Sequence, residues 1–251
     1  MVLLHGLGAT AALNWCHCFE PLAERYRVVA LDQRGHGRGI VSRSPFRLED
    51  CAADVAALVA VLGTDPVVAV GYSMGGPVAL TLLRNHPSAV SGLVLCATAA
   101  SFHDGPIPRA ALQAAAVGAS LTWAALPPAL RERALAVGRR AAAGATPLPG
   151  PRLPARAAQE SGTAAPATLI QAAGALAGFD ASPWLRTVDR PTGVVVTTRD
   201  RVVSPARQWA LARGIPSAEA VPVDSDHRAC VEDPALFVPA LLRACSAATG
   251  R

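Results

Sequence analysis

An apolar run passes directly into a helix-like run at residues 67–83, with a single serine at the junction. The β-branched residues of VVAV predict a parallel strand buried on both faces. The apolar spacing after Gly75 predicts a helix packed against that strand. Ser73 therefore lies on a strand-to-helix turn, GYSMG, of the form G-x-S-x-G. This form favours an exposed, strained nucleophile, although an ordinary tight turn can share so short a pattern.

The rest of the chain repeats the same alternation of strand-like and helix-like runs. This alternation predicts an α/β fold with a mostly parallel central sheet and helices on both faces. The predicted strands are residues 2–4, 27–32, 67–70, 92–96, 193–198 and 219–223. The predicted helices are residues 14–24, 48–62, 75–85, 205–213 and 234–245.

One long interval interrupts the alternation and divides the chain into three parts. Residues 101–185 are rich in Ala, Pro and Gly and contain apolar helical pieces, which predicts a helical cap or lid. Residues 1–100 and 186–251 are then the first and second parts of the core. Within the cap, ATPLPGPRLP at residues 145–154 predicts a flexible joint.

Five motifs follow successive predicted strands in a fixed order: HGLG, DQRGHG, GYSMGG, TTRDRVV and DSDHRACVEDP. Together they resemble the α/β-hydrolase fold family over nearly the whole chain apart from the cap. The resemblance implies a catalytic triad of Ser73, Asp200 and His227, in the family order of nucleophile, acid and base. A serine hydroxyl needs an imidazole to take its proton, and the imidazole needs a carboxylate to orient it. Asp104, Asp224 and Asp226 are alternative acids.

The resemblance also places an oxyanion hole at the backbone N–H groups of Leu7 and Met74. Aromatic residues of the cap region are candidates for an apolar acyl pocket, although packing of the cap is an alternative role for each. They are Phe102, Trp123, Phe179 and Trp184, with Leu121 and Leu126 beside them. No metal site and no cofactor are predicted, because the six cysteines are scattered and no nucleotide-binding loop is present.

A serine at the attacking position argues against the dehalogenase and epoxide-hydrolase branches of the family, which attack through a carboxylate. We expect a serine hydrolase that cleaves a small or medium acyl ester or lactone through an acyl-enzyme, with a small apolar acyl substrate. Carbon–carbon bond hydrolysis and a cofactor-free perhydrolase activity are alternatives. A non-catalytic pseudo-hydrolase that only binds a ligand is the competing class.

Charge and hydropathy exclude several classes of partner. The net charge is +5, but the arginines of residues 101–160 lack interleaved aromatics, so no nucleic-acid partner is expected. No apolar run predicts stable membrane insertion, and the first residues fit neither a secretion signal nor a membrane span, which predicts a cytoplasmic location.

Two features depart from the family pattern. Asp226 stands before the candidate histidine, where family members usually have glycine. The family also has two strands before the HG strand, whereas only four residues precede His5 here, so either the gene start is misplaced or the sheet lacks its first two strands. The strand at residues 27–32 then becomes an exposed edge, through which a homodimer can form.

Overall fold

A computed structural model describes residues 1–42, 44–64, 66–143 and 165–250, and the side chains of all of these except residues 137–143. The predicted joint at residues 145–154 lies outside the described residues. The described strands are β1 (Val2–Leu4), β2 (Val29–Leu31), β3 (Val67–Tyr72), β4 (Val90–Cys96), β5 (Thr192–Thr197) and β6 (Ala218–Val223).

These strands form one sheet in the order β2-β1-β3-β4-β5-β6, and every neighbouring pair is parallel. The predicted parallel α/β sheet is therefore confirmed. Strand β1 lies inside the sheet between β2 and β3, in register with Val2 opposite both Val29 and Ala69. Among the described strands, β2 is the outer one on that side of the sheet.

The helices are α1 (Ala11–Trp15), α2 (Phe19–Ala23), α3 (Leu48–Val61), α4 (Gly75–Asn85), α5 (Arg109–Ala125), α6 (Pro128–Ala143), α7 (Pro166–Gly178), α8 (Pro205–Gly214), α9 (Ala229–Glu232) and α10 (Pro234–Thr249). The single helix predicted over residues 14–24 is wrong, because α1 and α2 are separate. Pro21 explains the break: a helix running through it would lose one N–H and press the proline ring against the carbonyl of His17. In α2 the proline lies in the first turn, where both costs vanish.

The helices cover both faces of the sheet, as predicted. Side chains of α3, α4, α7 and α8 pack on one face around Leu4, Leu93 and Val194. Side chains of α1, α2, α9 and α10 pack on the other face around Leu3 and Val195. The strands thus read as continuous apolar runs because both of their faces are buried.

The long interval between β4 and β5 is helical where it is described. Helices α5 and α7 cross closely at Gly174, where a Cβ atom would lie 2.3 Å from Cβ of Ala116. A bridge between Ser101 and Asp180 joins the two ends of the interval, and Arg109 pairs with Asp180 at 3.0 Å. The assignment of residues 101–185 to a helical cap stays a prediction.

Among the described residues, no single helix is both long and apolar enough to cross a membrane. Within the described part of the chain, one pair of helices, Arg109–Ala125 and Pro128–Ala136, reaches that length and composition when taken together, but the pair is bent by 114° at its break.

Candidate active site

The five sequence motifs meet at one edge of the sheet. HGLG follows β1, DQRGHG follows β2, GYSMGG follows β3, and the segments with Asp200 and His227 follow β5 and β6. Because all six strands are parallel, their carboxyl ends lie at the same edge, where open α/β sheets hold their ligands. Residues that are more than 150 positions apart in sequence thereby become neighbours.

Ser73 occupies a sharp turn between β3 and α4. Its φ is 51°, in the left-handed region that a side chain rarely adopts. The turn is held on both sides, because the Ser73 amide donates to the carbonyl of Cys96 at 2.9 Å and the Thr98 hydroxyl donates to the Ser73 carbonyl at 2.8 Å. The strained conformation is thus fixed by β4 and the residues after it.

Close backbone contact explains the two glycines of the turn. A Cβ atom on Gly71 would lie 2.2 Å from the Gly75 carbonyl oxygen, and one on Gly75 would lie 2.2 Å from that of Leu4. Helix α4 therefore begins directly against β1 and β3, which leaves the Ser73 side chain at the end of the sheet.

Ser73, His227 and Asp200 form one chain of hydrogen bonds. Nε2 of His227 lies 3.0 Å from Oγ of Ser73, and Nδ1 of His227 lies 2.8 Å from Oδ2 of Asp200. An ionised carboxylate only accepts, so Nδ1 carries the proton and Nε2 is left to accept from the serine hydroxyl. This is the tautomer that a general base requires.

Asp200 is buried and its carboxylate is surrounded by donors. Oδ1 accepts from the amides of Val202 and Val203, both at 2.8 Å. Oδ2 accepts from the Thr197 hydroxyl at 2.8 Å in addition to His227. Burial alone would raise the pKa of the Asp200 carboxyl, but the hydrogen bonds from His227, Val203 and Thr197 outweigh it and hold the pKa below its usual value.

The alternative acids lie elsewhere. Asp104 pairs with Arg207, and Asp224 is largely exposed and pairs with Arg199. Asp226 directs its carboxylate to backbone amides rather than to the imidazole. Of the four candidates, Asp200 is the one in contact with the imidazole of His227.

Two residues fix the loop that carries His227, and neither was predicted to do so. The buried Tyr72 hydroxyl donates to the His227 carbonyl at 2.6 Å. Oδ1 of Asp226 accepts from the amides of His227 and Arg201, at 2.7 and 3.0 Å. The departure from glycine at position 226 was a sequence signal for the second contact, whereas the first depends on the folded structure alone.

The predicted oxyanion loop is held by a buried histidine. The Gln33 amide donates to Nε2 of His5 at 2.9 Å, so the proton is on Nδ1, which donates to the Gly6 carbonyl at 2.8 Å. Burial lowers the pKa of His5 to about 4, which keeps the ring neutral. The Gly6 amide donates to Oδ1 of Asn14 at 3.0 Å. The carbonyl and the amide of Gly6, the residue directly before Leu7, are thus both held in place.

The two candidate oxyanion donors flank Ser73. Leu7 lines a cavity with Ser73, and Met74 immediately precedes α4, where helix N–H groups lack intrahelical acceptors. Among residues 1–42, 44–64, 66–143 and 165–250, the amides of Leu7 and Met74 meet no hydrogen-bond acceptor. Both therefore stay available to a developing negative charge.

A cavity of about 420 Å³ opens beside Ser73 and His227. Its other lining residues are small or apolar apart from Arg228, Tyr72 and Asn14: Gly6, Leu7, Gly8, Ala9, Leu13, Cys230 and Val231. Within the described part of the chain, this lining includes none of the predicted pocket residues Phe102, Trp123, Phe179 and Trp184. Their role in acyl binding stays a prediction.

A second, larger cavity of about 720 Å³ lies between helices α3 and α4 on one side and helices α5 and α7 on the other. Phe179 and Trp184 line it together with the ends of α3 and α4, and the guanidinium of Arg84 lies 5.2 Å from the centre of the Trp184 ring. Ser73 and His227 are not among its lining residues. Two of the predicted aromatic residues thus lie around a separate space.

Metal ligands are not grouped in the described residues: no cluster of three or more His, Cys, Asp or Glu side chains is arranged to hold an ion.

The family model described as "alpha/beta hydrolase fold" matches residues 1–234. The chain belongs to the α/β hydrolase fold family. A curated relative, epoxide hydrolase B of Mycobacterium tuberculosis, is 37% identical over 97 residues, which is 38% of this chain and 27% of the relative. The match therefore spans about a quarter of the length of that protein.

Solved structures of this family match over nearly the whole chain. A thermophilic esterase from Thermogutta terrifontis is 27% identical, with a TM-score of 0.74 over 96% of this chain and 87% of that one. Est816, described as an N-acyl homoserine lactone degrading enzyme, is also 27% identical, with a TM-score of 0.69 over 96% of this chain and 91% of that one.

Proposed function

We propose that this α/β hydrolase is a serine hydrolase that cleaves a small or medium acyl ester or lactone through an acyl-enzyme. The observation that carries the proposal is the continuous chain from Oγ of Ser73 through His227 to the buried Asp200. The esterase and the lactone-degrading enzyme among the similar structures support an acyl substrate.

The geometry gives each residue a role in acylation. His227 accepts the hydroxyl proton through Nε2 as Oγ of Ser73 attacks the carbonyl carbon, and Asp200 stabilises the imidazolium. The amides of Leu7 and Met74 donate to the oxygen that becomes negative. His227 then gives its proton to the leaving oxygen, and the ester bond breaks to leave an acyl-serine.

Deacylation uses the same groups, with water as the nucleophile and Oγ of Ser73 as the leaving group. His227 takes a proton from water, whose oxygen attacks the acyl carbon, and the proton returns to Oγ of Ser73 as the acid leaves. The cavity of about 420 Å³ suits a small or medium acyl group, and its mostly apolar lining favours an apolar one.

The similarity to an epoxide hydrolase favours epoxide opening over ester cleavage. The residue at the attacking position distinguishes these two reactions. Epoxide hydrolases of this fold attack through a carboxylate, whereas position 73 holds serine. A pseudo-hydrolase would retain the cavity without turnover. The aligned proton path through His227 argues for turnover.

A series of p-nitrophenyl esters of graded acyl length tests the proposal. We expect turnover that falls as the acyl chain outgrows the cavity, and a loss of roughly 10⁴- to 10⁶-fold in Ser73→Ala. Absence of turnover of every ester and of simple lactones by the wild-type protein, or equal turnover by Ser73→Ala, would contradict it.

A further inference from the structure

Gln208 is a fully buried polar side chain on α8, eight residues after Asp200. A buried primary amide must find partners for its carbonyl and its two N–H bonds, because each unsatisfied group costs free energy. No pattern in the sequence marks this glutamine as part of a site, since surface-facing glutamines are common in helices.

Backbone groups fix the orientation of the Gln208 amide. Oε1 accepts from the Thr197 amide at 2.9 Å, and Nε2 donates to the Val203 carbonyl at 2.8 Å. Reversing the amide would set donor against donor at Thr197 and acceptor against acceptor at Val203. The second N–H of Nε2 is therefore directed at Oδ2 of Asp200, 2.9 Å away, with the Thr197 hydroxyl beside it.

Oδ2 of Asp200 is the same oxygen that receives Nδ1 of His227. Oδ1 is occupied by two backbone amides, so the Gln208 N–H acts on the imidazole-facing half of the carboxylate. A hydrogen-bond donor at Oδ2 partly neutralises the negative charge on that oxygen and fixes the orientation of the carboxylate.

We infer that Gln208 is a positioning residue that holds Oδ2 of Asp200 toward His227 and limits how strongly that oxygen favours the imidazolium. The inference rests on the proposed serine chemistry. Without Gln208 the carboxylate stays in place through the amides of Val202 and Val203, but Oδ2 becomes a stronger acceptor. His227 then keeps its proton to higher pH and is unavailable as a base over a wider range.

The charged groups around this network are already paired with one another. Four arginines on the acid turn, α8 and the His227 loop each pair with a carboxylate, in the pairs Arg199–Asp224, Arg201–Asp226, Arg207–Asp104 and Arg228–Glu232. The other titratable groups around the His227 loop are Tyr72, Cys230 and Asp233, whose Oδ2 accepts from the Ser225 hydroxyl, and Glu219 of β6 lies toward Arg243. Replacing Gln208 removes none of these groups and none of these ion pairs.

Two substitutions test the inference in the full chain, with one matched control. Gln208→Leu and Gln208→Met both remove the donor to Oδ2 of Asp200, and methionine keeps nearly the length of the glutamine side chain. The control is Gln171→Leu, because Gln171 of α7 also bonds a backbone amide and a side-chain oxygen, those of Phe46 and Ser120, both at 2.7 Å. The rate of fluorophosphonate labelling is measured across pH, together with the downfield proton resonance of Nδ1 of His227.

We expect the acid limb of the labelling profile to move to higher pH by about one unit in both Gln208→Leu and Gln208→Met. The Nδ1 proton resonance moves downfield in both variants, and Gln171→Leu leaves limb and resonance unchanged. If only one of the two Gln208 variants folds, the shift of its acid limb and of its Nδ1 resonance decides the test. If the Gln208 variants are labelled but neither the acid limb nor the Nδ1 resonance moves, the inference about Gln208 is overturned and the proposed serine chemistry is not. Failure of the wild-type protein to be labelled would instead contradict the serine chemistry, while the resonance would still test the positioning of Asp200.

Discussion

The amide of Arg201 donates a hydrogen bond of 3.0 Å to Oδ1 of Asp226. Arg201 follows Asp200 directly, and Asp226 precedes His227. This contact joins the turn that carries the acid to the loop that carries the base. The same oxygen accepts the His227 amide at 2.7 Å, so a single carboxylate oxygen fixes the spacing of both segments.

Asp226→Ala should destabilise the protein and impair the site. Two hydrogen bonds to an ionised carboxylate are lost, which we expect to cost about 2 kcal/mol in the free energy of unfolding and about tenfold in kcat. The matched change Asp224→Ala removes a carboxylate that is 77% exposed and paired on the surface, and should cost less than about 1 kcal/mol. Chemical denaturation and ester turnover measure both variants; equal effects would contradict the bridging role.

Asp200→Asn should lower turnover by about 10⁴-fold, because an amide at this position no longer selects the base-competent tautomer of His227. Asp104→Asn should change turnover less than about threefold, since Asp104 pairs with Arg207 near the surface. Steady-state rates with one p-nitrophenyl ester suffice. A reversed order of the two effects would mean that the acid is assigned to the wrong residue.

Much of this arrangement was predictable from local sequence. The strands could be located because runs such as VVAV and GVVVT are buried on both faces, and Ser73 because its glycines are required by contacts with Leu4 and α4. The bonds of Asp226 and Gln208 to the site were not predictable, since they join segments through space. The break between α1 and α2 is predictable from Pro21, which a continuous helix over residues 14–24 cannot accommodate.

The free energy of unfolding should decrease at acidic pH because of His5. Its pKa is near 4 in the folded protein and 6.5 when unfolded, so the unfolded state binds more protons between these values. The free energy of unfolding therefore falls as the pH drops from about 6.5 to about 4, by about 3 kcal/mol from this residue. Urea denaturation across this range should show a shallower decline in His5→Asn, and an unchanged decline would contradict the burial of a neutral His5.

Strand β2 forms an edge of the sheet, and we expect the protein to self-associate through it. Val29 donates its amide to Met1 on the β1 side, so the N–H and C=O of Ala30 face outward from the sheet. We propose that two copies pair through this edge, and light scattering should then report a dimer or larger species. Ala30→Pro removes the outward N–H and should shift the protein to monomer, whereas Ala30→Thr should not. A monodisperse wild-type monomer would show that the edge is not used.

Covalent labelling of Ser73 tests the central claim most directly. The wild-type protein is treated with a fluorophosphonate, its intact mass is measured, and the modified residue is located by peptide mass spectrometry, with Ser73→Ala in parallel. Activation by His227 and Asp200 predicts one adduct per chain, on Ser73, and no adduct on a folded Ser73→Ala variant. An unlabelled wild-type protein, or equal labelling of the variant at another residue, would contradict the account.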